Sequence, residues 1–537
     1  MPEQELKLHV PAQARRGVER QLQQRPVTRQ RLHALYFDTS ERELARARIA
    51  LRLRREGRAW VQTLKMPGAD AITRIELNHD RPGPVLDLTL YAGTDAEPAL
   101  TALRGTLAAR YETDVMRWTQ RLRTRAGTVE LAYDRGTLRA GELTLPVSEL
   151  EFELVSGRPA AIFALARRWQ QQHALVLDAR SKSERGDALA SAAQALAQAC
   201  PPADAGIGAA RAAEIARFWA PRNARAVRLD PAMTPAEALR AVGAECLDQV
   251  VRNAAVLAEV DTAGVYAAGH PEHVHQLRVG LRRLRSAWKL FDGWTELPGA
   301  ALEQAVREHF SAFGATRDED VLQDTIVPAL VRAGMPALTL PASAGSMDAR
   351  TLACAPAFQG WLLDMLAWTV GALPPAPAAP APSPAGPADD SGPVRPTIIS
   401  LTPETSEPPT LRALLTGRLR KWHRRVVAEG KQFASLDPTA RHELRKRAKR
   451  LRYGLSFAES LLPPVRLRAY RKRLAQLQDV LGELNDLAVA QERYRELTAA
   501  YPQAWFAQGW IAARLNELAV GAQQAFEDLA RCRPFWK

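Results

Sequence analysis

Residues 148–155 read SELEFELV, with Glu149, Glu151 and Glu153 alternating against Leu150, Phe152 and Leu154. A period of two marks a β-strand, because successive side chains leave opposite faces of an extended chain. This strand therefore carries one acidic face and one apolar face. The same rule governs ALRLR (50–54), which sets Arg52 and Arg54 on one face, and WVQTLK (60–65), where Lys65 shares a face with Val61 and Thr63. In VELAYD (129–134) it aligns Glu130 with Asp134. Such charges have two readings: the solvated outer face of an open sheet, or the lining of a closed barrel. Periodicity alone favours the solvated face.

The chain around these strands has 537 residues, with 73 Lys+Arg against 59 Asp+Glu and a net charge of +14. That length predicts about three folded units rather than one core. With 46% hydrophobic and 25% charged residues, the composition excludes collagen-like, wholly disordered and disulfide-scaffold classes. Cys200, Cys246, Cys354 and Cys532 stand far apart, so neither a zinc site nor a disulfide framework is implied. The basic surplus points to a polyanionic partner, and charge alone does not choose among nucleic acid, phosphate polymer and anionic membrane. The stretch Met1-Pro2-Glu3-Gln4-Glu5 lacks a signal-peptide pattern, and no apolar run approaches the ~18 residues of a membrane span. No membrane association and a cytoplasmic location are the expectation.

Composition divides the chain further. The Pro/Ala/Ser-rich stretch 373–409 has no hydrophobic periodicity and reads as an extended, disordered linker. A softer boundary falls at Cys200-Pro201-Pro202-Ala203-Asp204, after an Ala-rich helical segment. The expected units are 1–200, rich in strands, and two helical units, 205–372 and 410–537. Apolar residues at 3–4 spacing predict helices over Pro235–Val260, Pro271–Trp294, Arg441–Leu462 and Arg466–Leu497.

The helical part contains a repeat. HQLRVGLRRLR (275–285) aligns with HELRKRAKRLR (442–452), matching His275, Arg278, Arg282, Arg283 and Arg285 to His442, Arg445, Lys449, Arg450 and Arg452, with Lys446 added in the second copy. Downstream, Gly314 and Asp318 match Gly482 and Asp486. Two blocks in the same order argue for a duplicated helical unit. Histidine and the cations three, seven and ten residues on share one helical stripe. Stacked like charges repel, and no acid interleaves on the stripe, so a basic channel for a linear polyanion competes with a plain solvated face. The two histidines are candidates for phosphate contact, while an ion pair orienting the arginines is the expected role of Asp318 and Asp486. His9, His33 and His79 have no clustered partners and read as structural. Tryptophans do not interleave with the basic stripes, which argues against nucleic acid.

In the first third, Glu3, Glu5 and Lys7 fall on one face of the opening strand. Adjacent carboxylates stay ionised together when a cation lies between them, and a hard divalent ion suits oxygen ligands. Further on come Arg74 and Glu76 in TRIEL, Arg117 in TDVMRW, and Lys182 and Arg185 in SKSERG. This order of ExExK, paired strand arginines, a lysine strand, RxE, TDxxR, ELExEL and SKxxRG resembles the CYTH family, the triphosphate tunnel metalloenzymes, over about residues 1–195. The remainder, with its histidine-and-arginine helices, resembles the CHAD family, a polyphosphate-binding module.

The resemblance implies an α+β multidomain protein: an eight-stranded antiparallel tunnel barrel with helices, then an all-α pair of helical bundles. It turns the charged strand faces inward. It further implies a cytoplasmic metal-dependent triphosphatase that hydrolyses inorganic triphosphate to pyrophosphate and phosphate, with a CHAD module that holds long-chain inorganic polyphosphate and associates with polyphosphate granules. By motif match the catalytic cations are Lys7, Arg52, Arg54, Lys65, Arg117 and Lys182, with Arg74 and Arg185 as substrate-binding candidates. Glu3, Glu5, Glu149 and Glu151 would hold Mg²⁺ or Mn²⁺, joined by Glu153 and Asp134. Alternatives are a related enzyme acting on thiamine triphosphate or ATP, and a non-catalytic polyphosphate-binding protein.

Overall fold

A computed structural model describes residues 2–198, 217–218, 220–260, 271–336, 338, 347–373, 409–532 and 536. Nearly all of the expected linker and the boundary at Cys200–Asp204 lie outside the described residues.

The first domain is a barrel of antiparallel strands. These are β1 Pro2–His9, β2 Thr28–Asp38, β3 Ala50–Glu56, β4 Ala59–Pro67, β5 Thr73–Arg81, β6 Ala108–Thr124, β7 Gly127–Ala140 and β8 Leu143–Gly157. They pair in the order β5-β4-β3-β2-β6-β7-β8-β1. The ring closes through β1, whose residues Pro2–Gln4 pair with β5 while Glu5–His9 pair with β8. Closure satisfies both edges of all eight strands. A two-residue strand, β9 (Val176–Leu177), flanks the end of β1.

The charged faces point inward. In β8, Leu150 and Phe152 are fully buried on the outside of the barrel, beneath α2 (Ala160–His173). Helix α1 (Arg15–Leu22) contributes Val18 and Leu22 to the same core. The solvated-face reading fails because the outer apolar face is covered by helices, so the hydrophobic core wraps the barrel and the bore is left to charge. A third helix, α3 (Lys182–Gln198), packs against β6, β7 and β8. Its close approach requires Gly186: a Cβ there would stand 2.3 Å from the Tyr111 ring.

The rest is helical: α4 Pro235–Leu257, α5 Pro271–Phe291, α6 Ala300–Val321, α7 Pro356–Thr369, α8 Leu411–Gly430, α9 Pro438–Phe457, α10 Pro464–Leu497 and α11 Gln503–Arg531. Their starts follow local chemistry. Thr234 and Glu237 form a reciprocal capping box ahead of Pro235, and Asp437 caps α9 by accepting from the Ala440 amide at 3.0 Å. Helix α9 ends at Phe457, before the expected Leu462, because a short 3-10 turn over Glu459–Leu461 intervenes. The two repeat helices, α5 and α9, pack against each other. No helix among the described residues is long and apolar enough to cross a membrane.

Barrel and helices are joined. Helix α7 lies along α2, where Arg167 pairs with Asp364 at 2.7 Å. The buried Gln359 side chain accepts from the Leu177 amide at 2.8 Å and donates to the Ala353 carbonyl at 2.6 Å.

Candidate active site

The bore of the barrel is a cavity of about 370 Å³. Strand alternation delivers Arg52 and Arg54 from β3, Lys65 from β4, Arg74 from β5, Arg117 from β6 and Lys7 from β1 to its wall, and the first turn of α3 adds Lys182. Carboxylates occupy the other sector: Glu3 and Glu5 on β1, Glu76 on β5, Glu130 and Asp134 on β7, and Glu151 and Glu153 on β8. Strands β8, β1 and β5 are neighbours in the ring, so Glu153, Glu5, Glu3 and Glu76 form one acidic arc facing the arginines of β3 and β6.

Two electrostatic centres differ. In the first, the Arg117 guanidinium makes a two-pronged contact with Asp134, 2.6 Å on each side, and reaches Glu151 at 2.5 Å. The Lys182 ammonium lies 2.6 Å from Asp134, 2.5 Å from Glu149 and 2.8 Å from Glu151. Burial opposes ionisation here, yet Lys182 and Arg117 hold the Glu151 carboxyl well below its ordinary range, and Asp134 is likewise lowered. The same carboxylates push Lys182 well up despite its burial. Asp134, Glu149 and Glu151 place oxygens within 4.8 Å of one another, a spacing suited to a metal ion, and the Lys182 ammonium lies against all three.

In the second centre, carboxylates outnumber their cations. Burial, the neighbouring Glu76 and a hydrogen bond to it raise the Glu3 carboxyl to about 7. Burial together with Glu130, Glu5 and Glu76 raises Glu153. Glu76 itself stays ionised against burial because Lys65, its cross-strand partner, and Arg52 at 3.6 Å stand beside it. Glu3 and Glu153 thus hold protons more tightly than ordinary carboxylates, and the arc offers oxygen donors only, the type a hard divalent cation takes.

The sequence-selected residues thus fall into distinct places. Lys7, Arg52, Arg54, Lys65, Arg74, Arg117, Lys182, Glu3, Glu5, Asp134, Glu151 and Glu153 all line the bore. Glu149 and Arg185 do not; they form a buried pair at 2.5 Å behind Lys182. Glu76 and Glu130 line the bore but were absent from the selected set, although each alternates with a selected residue in its strand. Outside the bore, His33 lies 3.0 Å from Glu112, and His79 packs edge-on against Tyr91.

The helical domain holds a second cavity of about 500 Å³. His275, Arg278, Arg282 and Arg285 of α5 line it together with His442, Arg445, Lys446, Lys449 and Arg450 of α9. Phe310 of α6 sits beneath the guanidinium carbons of Arg278, Arg282 and Arg285, at 4.8, 5.3 and 5.6 Å. A π face eases the crowding of like charges there. Arg445 donates to Asn485 at 2.6 Å, and Asn485 in turn donates to Asp486 at 3.3 Å, whose charge favours the guanidinium; the Asp318 side chain lies outside the described residues. Burial, with Arg282 and Arg445 close by, pushes the Lys449 ammonium down to about 6. Two selected arginines lie elsewhere. Arg283 is buried against Gln249 at 2.7 Å and Glu245 at 3.6 Å, and Arg452 donates to Gln478 at 2.8 Å.

A closed antiparallel barrel with facing cationic and acidic sectors, followed by a helical domain around a cationic cavity, defines a charged-tunnel protein with a basic helical appendage. A family model described as CYTH domain matches residues 1–186, and one described as CHAD domain matches residues 241–495. The chain is therefore a CYTH domain followed by a CHAD domain. Among curated proteins it is similar to an inorganic triphosphatase of Haemophilus influenzae, 30% identical over 166 residues, covering 29% of this chain and 45% of that protein. The matched region thus spans about half the length of that relative. Among solved structures it is similar to a CHAD domain from the plant Ricinus communis, at 26% identity and a TM-score of 0.42, covering 57% of this chain and 96% of that one. A second is a putative adenylyl cyclase from Hippeastrum described as having a dominant triphosphatase activity, at 17% identity and a TM-score of 0.27, covering 34% of this chain and 95% of that one.

Proposed function

We propose that the chain is a metal-dependent hydrolase of inorganic triphosphate whose CHAD domain binds long-chain polyphosphate. The observation that carries this reading is the division of the bore: arginine and lysine side chains from β1, β3, β4, β5 and β6 opposite a cluster of carboxylates, of which Glu3 and Glu153 have raised proton affinity. The similarity to an inorganic triphosphatase supports the choice of substrate.

In this reading Arg52 and Arg54 grip phosphate oxygens through their planar forks, Arg117, whose fork is held by Asp134 and Glu151, adds positive charge beside them, and Lys7 and Lys65 act as point charges. Arg74 and Lys182 add positive charge along the same bore. Glu3, Glu5, Glu76 and Glu153 would hold Mg²⁺ or Mn²⁺, which when bound supplies charge neutralisation at the phosphate oxygens. The cationic wall stabilises the charge that develops as the anhydride bond breaks. The balance is P₃O₁₀⁵⁻ + H₂O → P₂O₇⁴⁻ + HPO₄²⁻ + H⁺: a new P–O bond forms to water and the bridging oxygen leaves with its electron pair on pyrophosphate. Asp134, Glu149 and Arg185 keep Lys182 and Arg117 in position.

A panel of tripolyphosphate, thiamine triphosphate and ATP, each with Mg²⁺ or Mn²⁺, tests the substrate. Tripolyphosphate is expected to be the preferred substrate by kcat/KM; preference for either organic triphosphate overturns the assignment. For the helical cavity, long-chain polyphosphate is expected to displace the protein from DNA at equal phosphate concentration, and the reverse ranking overturns polyphosphate binding. Association with polyphosphate granules follows from the same reading.

A further inference from the structure

The tunnel wall is not built by the barrel alone. At the end of the bore where β4 turns into β5 and β1 runs out beside β9, the lining includes Ile72 and Leu177 of the first domain and Leu247, Asp248 and Val251 of α4. Ile72, Leu177, Leu247 and Val251 are each no more than 3% exposed and belong to one apolar core that runs from barrel to helices. Leu366 of α7 completes this apolar floor.

Helix α4 is clamped in place. The Asp248 carboxylate lies 2.8 Å from Arg222 and 2.6 Å from Arg252, and Arg252 reaches Glu184, in the first turn of α3, at 3.0 Å. Glu184 stands two residues after Lys182, so the helical domain is tied to the turn that delivers a cation into the bore. The far mouth, by contrast, carries Arg54, Glu130 and Glu153.

We infer that α4 makes the tunnel blind, and that Leu247, Asp248 and Val251 limit how far a linear phosphate can penetrate, so that short chains are favoured over long ones. The inference rests on the triphosphatase reading and deepens it. Each added phosphoryl unit brings charge that must be paired or solvated, and an apolar floor does neither. Asp248, with its charge already paired to Arg222 and Arg252, places a carboxylate at the same end and so offers no cation to a further phosphate. Longer chains therefore engage the site with their ends alone, through the mouth opposite α4.

The test uses the full chain with Mg²⁺ and compares kcat/KM for tripolyphosphate with that for a mid-length linear polyphosphate. Asp248→Asn removes that carboxylate while keeping the side-chain shape, leaves Arg222 and Arg252 with surplus positive charge at this end, and is expected to raise the mid-length to triphosphate ratio several-fold. Leu247→Ala deepens the floor and is expected to move the ratio the same way. Val251→Phe fills the floor without touching the clamp and is expected to lower the ratio; thermal unfolding of each variant separates this from loss of the α4 clamp. A parent active on tripolyphosphate with the ratio unchanged in all three folded variants overturns the blind-tunnel inference and leaves the triphosphatase reading standing. A parent inactive on tripolyphosphate overturns both.

Discussion

Replacing Lys182 by alanine removes the ammonium that stands among Asp134, Glu149 and Glu151. The side chain is 11% exposed and lies within 2.8 Å of all three carboxylates, so the loss is that of a buried ion pair rather than a surface one. Removing one partner of such a pair typically costs ~3–5 kcal/mol, since it leaves buried charge without compensation. Arg117 still holds Asp134 and Glu151, and Arg185 still holds Glu149, which places the expected cost near the lower end, about 3 kcal/mol.

The pH dependence has a definite sign. In the parent, Asp134 and Glu151 titrate below the ordinary carboxylate range in the folded state, so their contribution is present above that range and is lost as acid reaches the lowered values. Without Lys182 their folded proton affinity rises toward the unfolded value, because Arg117 alone then holds them, and the variant loses less stability than the parent as pH falls. The deficit against the parent is therefore largest near pH 8 and smaller near pH 4.5. A divalent cation should recover part of it in the variant, because the three carboxylates offer oxygens within 4.8 Å of one another. Chemical denaturation of both proteins at the two pH values, with and without Mn²⁺, measures this directly. A deficit below about 1 kcal/mol, or one that is flat with pH and indifferent to Mn²⁺, refutes the reasoning.

Three further outcomes are expected. Arg283→Met should destabilise the helical domain by about 1–3 kcal/mol, because it strands the buried Gln249 oxygen, and leave polyphosphate affinity unchanged, whereas Arg282→Ala should weaken affinity; calorimetric titration and thermal unfolding separate the two. Lys449, held largely neutral above about pH 6 by burial and by Arg282 and Arg445, should take up a proton when a polyanion enters. Affinity measured by titration then rises as pH falls from 8 to 6, and Lys449→Met removes that rise. Gly186→Ala should displace the start of α3 from the Tyr111 ring, lowering thermal stability and triphosphate turnover together.

The strand SELEFELV reveals its own alternation but not which face is buried. That depends on what covers the leucines, and the cover comes from α2 and from a core shared with residues a hundred or more positions away. The acidic arc was half legible for a related reason. Glu76 and Glu130 alternate with Arg74 and Asp134, but the adjacency of β8, β1 and β5 that gathers Glu153, Glu3 and Glu76 is a property of the closed ring. In the helical repeat, the cations three and seven residues after each histidine reach the cavity. Arg283, eight residues on, packs against Gln249 and Glu245 of α4, although Arg450 at the same register of the second copy lines the cavity, so the neighbour and not the spacing decides its place. Arg452 has the same register as Arg285 but is drawn aside by Gln478 of α10, a partner that no spacing within α9 announces.

The central claim is hydrolysis in the bore with the acidic arc holding the metal. The direct measurement is the yield of orthophosphate and pyrophosphate from tripolyphosphate by the full chain in Mg²⁺ or Mn²⁺, beside Glu5→Ala and a chelated control. Equal yields of the two products from the parent, lost on chelation and strongly reduced in Glu5→Ala, are expected. No phosphate release from the parent, or a Glu5→Ala variant that matches it, would contradict the account.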